Sequence, residues 1–221
     1  MALERRRIVA EADALLDADG LDGVTLRKLA RRLGVQAPTL YWHIPNKAAL
    51  VTALAEEILE QEFPAAALVL PGPDQGWQDW LSALAQRLRR ALLAHPDGAR
   101  VVSASHLSLK MAAISELAMS TLVARGLPLH RARLLVLTVE HFTIGHVLAE
   151  QSPPPDQEEA KGFDLAAYPT VVAGITEYFQ PGRTVDDLFR DCVQLIIDPP
   201  PVTSEKIDDT RDISADDPPA S

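Results

Sequence analysis

The stretch 24-VTLRKLARRLGVQAPTLYWHIPNK-47 decides the fold of the N-terminal part of the chain. Thr25 can cap a first helix that turns Leu29 inward, and Gly34 follows where a tight turn between two helices requires a positive φ. Pro38 suits the first turn of a second helix, because the N–H that proline lacks would have no partner there. The stretch therefore predicts two short helices joined by a glycine-containing turn, which is the helix-turn-helix plan.

The second of these helices is about two turns long, running to about His43 before Pro45 ends it. Leu40 is the residue that we expect to face inward. Tyr41, Trp42 and His43 then lie on or beside the exposed face, where hydroxyl, indole N–H and imidazole can reach phosphate oxygens. The alternative is that these rings fill the gap between small helices.

The positive charge of the chain is concentrated near this motif. Residues 1–47 hold 8 Lys and Arg against 6 Asp and Glu, whereas the remainder holds 13 against 25, within a formal net charge of -10. Lys47 follows Asn46, a cap for the next helix, so its charge adds to that helix's dipole. A polyanion would therefore contact the N-terminal part only. Arg31 and Arg32 could equally be plain solvated charges.

Beyond residue 47 the apolar period is helical almost everywhere, so the predicted fold class is all-α. We divide the chain into a three-helix DNA-binding head (1–46), a larger helical body (47–197) and a disordered, acidic, Pro-rich tail (198–221). No apolar run approaches the roughly 18 residues of a membrane helix, and nothing suggests export. A single cysteine, Cys192, is consistent with a reducing cytoplasm. Because it lies on an apolar helical stripe, we expect it to be an inert packing residue.

The stretch 131-RARLLVLTVEHFTIGHVLAE-150 is apolar nearly all round. Such a helix is buried on several sides, either within one subunit or against a second copy, and we favour the second copy. The stretch 184-TVDDLFRDCVQLII-197 begins with a variant capping box, Thr184 with Asp187, and its apolar stripe could add to the same interface.

The segment 27-RKLARRLGVQAPTLYWHIPNKAALVTALA-55 resembles the tetracycline repressor (TetR) family. The runs 91-ALLAHPDGARV-101 and 141-HFTIGHVLAEQ-151 are similar to parts of the C-terminal domain of its tetracycline-binding members. The resemblance implies an all-helical homodimeric repressor, cytoplasmic and not an enzyme, whose two heads enter adjacent major grooves of a palindromic double-stranded DNA operator.

Carried over position by position, the resemblance implies that Arg27 reads a base edge and that Pro38 approaches the bases. Where tetracycline-binding members have a base-reading glutamine, this chain has Ala37, so we expect similar docking on a different operator. The residues expected to contact DNA are Thr25, Arg27, Lys28, Ala37, Pro38, Thr39, Tyr41, Trp42, His43 and Lys47.

The resemblance also locates a ligand site in the C-terminal domain. Tetracycline-binding members hold their drug through a magnesium ion bound by a histidine and by a glutamate of the partner subunit. Val102 and Ala149 stand at those places here, and a shift to Glu150 turns the side chain by about 100°. We expect no magnesium–tetracycline binding and a small, largely apolar ligand instead. The expected lining residues are Phe63, Leu84, Leu88, Val102, Ser103, Ser105, His106, Ala118 and His141.

Several alternatives remain open. Side chains of the chain itself could fill the cavity, in which case the protein is a DNA-binding regulator without an effector. A helical carrier or enzyme is less favoured, because the sequence has no nucleophile–base pair, phosphate loop or metal set. His130, His141 and His146 match no common ligand spacing, so we expect core or pocket histidines and no metal or cofactor.

Overall fold

The computed structural model describes residues 4–64, 70–72, 74–105, 107–154 and 164–199. Within these ranges the regular structure is helical and contains no strand, which confirms the all-α class. The helices are α1 Arg5–Gly23, α2 Leu26–Leu33, α3 Ala37–Tyr41, α4 Lys47–Glu62, α5 Trp77–Leu93, α6 Gly98–Ala104, α7 Leu109–Ala124, α8 Leu129–Gln151, α9 Pro169–Tyr178 and α10 Val185–Ile197, with a 3-10 turn at Leu165–Ala167. The tail predicted to be disordered lies outside the described residues from residue 200 onward.

The helix-turn-helix forms as its local signals predict. The Thr25 hydroxyl accepts the Lys28 N–H (3.2 Å), so α2 begins with a satisfied N-terminus. Gly34 ends α2 with φ 68°, a left-handed conformation that glycine adopts without steric cost. The Asn46 side chain accepts the Ala49 N–H (2.8 Å) and begins α4. Each of these signals acts within three residues of the side chain that carries it.

Helix α3 is shorter than predicted, because it ends at Tyr41 and the chain continues as a turn through His43. The N–H groups of His43 and Ile44 both donate to the Leu40 carbonyl, at 3.0 and 2.9 Å. Leu40 and Ile44 are fully buried, so two apolar anchors hold this short element against the head. The role of Ile44 was not predicted.

Helix α4 begins at the boundary between head and body and packs against α1 of the head and against α5, α6 and α7 of the body. In the body, α8 is the central helix, since it contacts α5, α6, α7 and α10. By length and composition α8 could also span a membrane, contrary to the sequence expectation, with 28% of its most apolar window buried. Its packing against four helices instead makes it the core helix of this domain.

The last two helices differ in how far they are covered. None of the α9 residues is buried. Helix α10 begins with the predicted capping box of Thr184 and Asp187, and its buried side chains are Phe189, Val193 and Ile197. Val185, the first residue of α10, is exposed because the covered face of α10 follows a four-residue spacing that starts at Phe189.

Candidate DNA-binding surface and ligand cavity

The side chains predicted to contact DNA lie largely on the outer surface of the head. Arg27 projects from α2, and Pro38 and Thr39 from the start of α3, all of them exposed. His43 and Lys47 are exposed in the turn after α3 and at the start of α4. Thr25, Lys28 and Ala37 are only partly buried.

The aromatic pair at the end of α3 projects into solvent. The Trp42 side chain is 90% exposed and Tyr41 is 51% exposed, whereas Leu40 is 1% exposed. The alternative that these rings fill a gap between helices is therefore wrong. An indole this exposed contributes no core packing and is free to contact a partner.

Positive charges of the head divide into paired and unpaired groups. Lys28 pairs with Asp19 at 3.4 Å, and Arg32 with Glu11 at 3.0 Å, so acids of α1 partly neutralise two of the basic side chains of α2. Arg27 and Arg31 are exposed and form no ion pair among the described residues. Arg27 and Arg31 line one surface groove with Thr25 and Lys28. A shallow basic groove of this kind suits a phosphate backbone.

A hydrogen-bonded corner between α5 and α6 joins the body to the head. Asp97 accepts the Leu21 N–H of α1 through Oδ2 at 2.9 Å, which lowers the pKa of that carboxyl. Gly20, with φ 65°, allows this approach, because a Cβ there would lie 2.8 Å from Asp97 Oδ2. Arg100 of α6 also pairs with Asp22 at 3.2 Å. The orientation of the head therefore depends on the position of this corner.

His95 forms the buried centre of the corner. Its Nδ1 lies 2.9 Å from an Asp17 carboxylate oxygen and 3.5 Å from Asp13, and its Nε2 lies 3.3 Å from Gln61 Oε1. Among the described residues, Asp13, Asp17 and His95 form the one cluster with the ligand types and spacing of a metal site. Both ring nitrogens of His95 already have partners, so we interpret the cluster as a link between head and body.

The C-terminal end of α8 is hydrogen-bonded to the same corner. Gln151 donates from Nε2 to the carbonyls of Leu92 (3.0 Å) and His95 (2.8 Å), and its Oε1 accepts the Ala99 N–H (3.2 Å). The N-terminus of α7 is tied to α4 in the same way, since the Lys110 N–H donates to Glu56 at 3.2 Å. Helices α7 and α8 are thus hydrogen-bonded to α4 and to the corner, which both contact α1 of the head.

A small cavity lies between α5, α7 and α8, with a volume of about 20 Å³. Leu84, Leu88 and Ala118, three of the predicted ligand residues, line it. The remaining lining residues are Leu81, Ala85, Ile114, Val136, Val139 and Glu140. A water molecule needs roughly 10–15 Å³ of such volume and a drug-sized ligand roughly 300–1,000 Å³. In this conformation the surrounding side chains therefore nearly fill the site.

The other predicted ligand residues do not line this cavity. Phe63 is buried beneath the Arg87 guanidinium, which lies 4.6 Å from its ring centroid. Val102 is buried in α6, and Ser103 is exposed. The Ser105 hydroxyl is buried with no hydrogen-bond partner among the described residues. His106 lies outside those residues.

The three histidines of α8, at positions 130, 141 and 146, do not converge on one site. His130 and His141 are exposed, contrary to the expectation of core or pocket positions, because they lie on the outer side of α8. His146 is half-buried against the rings of Phe142 and Phe189, at 5.4 and 5.2 Å, and burial lowers the pKa of its imidazole. Only His146 therefore has the predicted core environment.

Sequence reasoning missed Glu140, which is 9% exposed and lines the cavity. The Ser115 hydroxyl of α7 donates to Glu140 Oε1 at 2.5 Å. Burial raises the pKa of the Glu140 carboxyl, an effect that the Ser115 hydrogen bond and the charge of His141 partly oppose. A carboxylate directly after the run 134-LLVLTV-139 was the available signal, but the neighbouring helices that bury it are distant in sequence.

The positions that correspond to a magnesium site offer no suitable ligand set. The side chains of Val102 and Ala149 have no atoms that can bind a metal ion. Glu150 is already held by Arg89, whose Nε and Nη2 donate to its two oxygens at 2.8 and 2.6 Å. A carboxylate bonded in this way is poorly available to a metal ion.

Comparison with known proteins agrees with both parts of this structure. Residues 8–54 match the family model for bacterial regulatory proteins of the tetR family, and residues 70–198 match that for the tetracyclin repressor-like C-terminal domain. The tetracycline repressor protein class A from transposon 1721 of Escherichia coli is 34% identical over 198 residues, which is 89% of each chain.

Two similar solved structures contain a bound partner, a drug in one and DNA in the other. A TetR from Acinetobacter baumannii AYE in complex with minocycline is 31% identical, with a TM-score of 0.67 over 88% of this chain and 94% of that one. BioQ with its double-stranded DNA operator is 33% identical, with a TM-score of 0.59 over 67% of this chain and 88% of that one. From its exposed helix-turn-helix to its helical C-terminal domain, the chain belongs to the TetR family of homodimeric, DNA-binding transcriptional repressors.

Proposed function

We propose that this protein represses transcription by binding a palindromic operator through Arg27, the α3 surface and Lys47, and that a small apolar ligand releases it. The observation that carries the DNA-binding roles is the exposure of this set around two buried anchors, Leu40 and Ile44. In a homodimer the two heads would enter successive major grooves about one helical turn apart.

The proposed roles divide into reading and positioning. The Arg27 guanidinium would contact a base edge, and Ala37 and Thr39 would make apolar contacts. Tyr41, Trp42 and His43 would hold phosphates, together with Lys47 at the N-terminus of α4. Thr25 and Lys28, the latter already paired with Asp19, would contact the backbone at the rim of the groove.

A ligand would act through the bonded corner and α4. If the ligand moves α7 away from α8, the displacement is transmitted to α4 through the Lys110–Glu56 hydrogen bond and to the corner through the hydrogen bonds of Gln151. A ligand that favours a conformer with the wrong separation of the heads releases DNA by its differential affinity alone. In this proposal the head ends at residue 46 and the body begins at residue 47. The protein acts in the cytoplasm.

Variants of the head test the proposed roles. Lys47→Ala is expected to weaken binding to all sequences and to flatten the salt dependence, whereas Arg27→Ala is expected also to relax base preference by about 1–3 kcal/mol. Arg32→Ala is the matched control, because Glu11 already partly neutralises that arginine. The measurement is a mobility shift, at several salt concentrations, on DNA upstream of the gene and on point-mutated versions of it. Equal losses on every sequence for both variants would contradict the division of roles.

A regulator without an effector is the second candidate, and the small volume of the cavity favours it. The two candidates differ in their response to apolar compounds. Thermal-shift measurements separate them, because a ligand that binds only the folded state raises the melting temperature with its concentration. Magnesium–tetracycline should give no shift in either case, since Val102 and Ala149 cannot hold the ion.

A further inference from the structure

The cavity between α5, α7 and α8 contains one ionisable side chain. Eight of its nine lining residues are Leu, Ile, Val or Ala, and the ninth is Glu140. Glu140 lines the cavity from α8, together with Leu84 and Leu88 of α5. A carboxylate in such surroundings loses most of its hydration, which is costly unless a positive or hydrogen-bonding group replaces the lost water.

The protein supplies only part of that replacement. Among the described residues, the one hydrogen bond to the Glu140 carboxylate comes from Ser115, and no lysine or arginine pairs with it. The charged group that acts on this carboxyl is His141, which is itself exposed. Glu150, on the same helix, contrasts with this arrangement, since Arg89 bonds to both of its oxygens. Helix α8 thus carries one half-buried carboxylate that is fully paired and one more deeply buried carboxylate that is not.

We propose that Glu140 is the polar anchor of the effector cavity and selects a ligand with a protonated nitrogen on an apolar skeleton. This inference rests on the proposed ligand-responsive function. The apolar walls would take the skeleton, and the ammonium group would donate to the Glu140 carboxylate oxygen that accepts no hydrogen bond from Ser115. With Glu140 as the anchor, the expected ligand is a cationic amphiphile and not a purely apolar molecule. Charge-assisted hydrogen bonds in a low-dielectric site are stronger than neutral ones, so they decide which ligand is accepted.

Three probes of equal chain length test this selectivity: n-octylammonium, n-octanol and n-octanoate. Their affinities for the full-length protein are measured by calorimetry. We expect octylammonium to bind about tenfold or more tightly than octanol, and octanoate to bind most weakly. Glu140→Gln, which keeps the size of the side chain and an acceptor for Ser115, should abolish the preference while leaving octanol binding unchanged.

Glu116→Gln is the matched control, because it removes the same charge from an exposed position on α7 next to Ser115. It should keep the preference for octylammonium. The proposal is overturned if the wild type shows no preference, prefers octanoate or binds none of the probes. It is also overturned if Glu140→Gln keeps the preference or Glu116→Gln loses it.

The wild type alone provides a second test that does not depend on how a variant folds. Octylammonium stays protonated, so its affinity should rise as pH increases through the Glu140 pKa, while that of octanol should stay constant. The groups that act on Glu140 are Ser115 from α7 and His141 from α8, whereas its neighbours on α5 are apolar. A flat pH profile for octylammonium would overturn the proposal. A mobility shift on upstream DNA, run in parallel without ligand, reports separately on the repressor function.

Discussion

Leu40 and Trp42 are two residues apart and have opposite surroundings. Leu40 anchors α3 in the core of the head, whereas the Trp42 indole is surrounded by solvent. The sequence predicted this contrast, because an element of about two turns can bury only one narrow face. It also predicted Thr25, Gly34 and Asn46, whose effects are confined to neighbouring backbone groups.

The pair gives a direct separation of folding from DNA binding. Leu40→Ala should lower the free energy of unfolding by about 2–5 kcal/mol, because it leaves a cavity in the head. Trp42→Ala should change it by no more than about 0.5 kcal/mol, since the indole has no packing to lose. Urea denaturation measures both. A mobility shift should then show weaker DNA binding by the stable Trp42→Ala variant, and a large loss of stability in that variant would contradict the assigned exposure.

The corner between α5 and α6 joins helices that are distant in sequence. Leu21 bonds to Asp97, 76 residues away, and Gln151 bonds to His95, 56 residues away. Periodicity within single helices predicts neither contact, and for this reason the sequence analysis found the helices but not their connections. Glu140 and His95 were missed for the same reason, since helices far away along the chain bury them.

Gln151 should be important for stability out of proportion to its size. Gln151→Ala removes two donors and one acceptor from partly buried backbone groups, so we expect a loss of about 1–3 kcal/mol in the free energy of unfolding. Gln180→Ala, which removes one exposed hydrogen bond to Thr176, is the control and should have little effect. Denaturant titration measures both variants. Equal losses in the two variants would show that the hydrogen bonds of Gln151 contribute no more to the free energy of unfolding than an exposed one does.

Asp13 makes the junction of α1 with the corner sensitive to pH. Burial raises the pKa of its carboxyl, and Asp17 and Glu57 add to this effect while His95 opposes it. Because the folded pKa lies above the unfolded one, ionisation destabilises the fold as pH rises from the ordinary value of 3.8 through the folded value. Asp13→Asn should therefore raise the melting temperature near neutral pH, with the gain shrinking to nothing in acid.

Asp17→Asn is the companion variant. Asp17 is half exposed and hydrogen-bonds directly to His95 Nδ1, so removal of its charge should give no such gain. Melting curves across a pH series decide between these outcomes. A gain that is independent of pH, or equal in both variants, would exclude desolvation of Asp13 as the cause.

The single chain leaves apolar surface that a second copy can cover. Leu134 on α8 is 64% exposed, and Leu195 on α10 and Val172 on α9 are exposed as well. The sequence predicted that α8 would be covered on several sides and favoured a twin subunit. The residues that meet across the interface depend on the partner's position, which periodicity in one chain cannot supply.

A charge at this surface should separate assembly from folding. Leu134→Glu should shift the protein from dimer to monomer in light scattering and weaken operator binding, because one head alone engages only a half-site. Leu107→Glu, at an exposed position before α7, is the control and should remain dimeric. A dimeric Leu134→Glu protein would remove α8 from the proposed interface.

The nearly filled chamber around Glu140 has a consequence for the speed of response. A molecule as large as octylammonium can bind there only after α5, α7 and α8 have moved apart, so the opening of these helices limits the association rate. The observed binding rate should level off at high ligand concentration, at the frequency with which the helices open. The repressor would then ignore brief pulses of its inducer and respond only to sustained exposure.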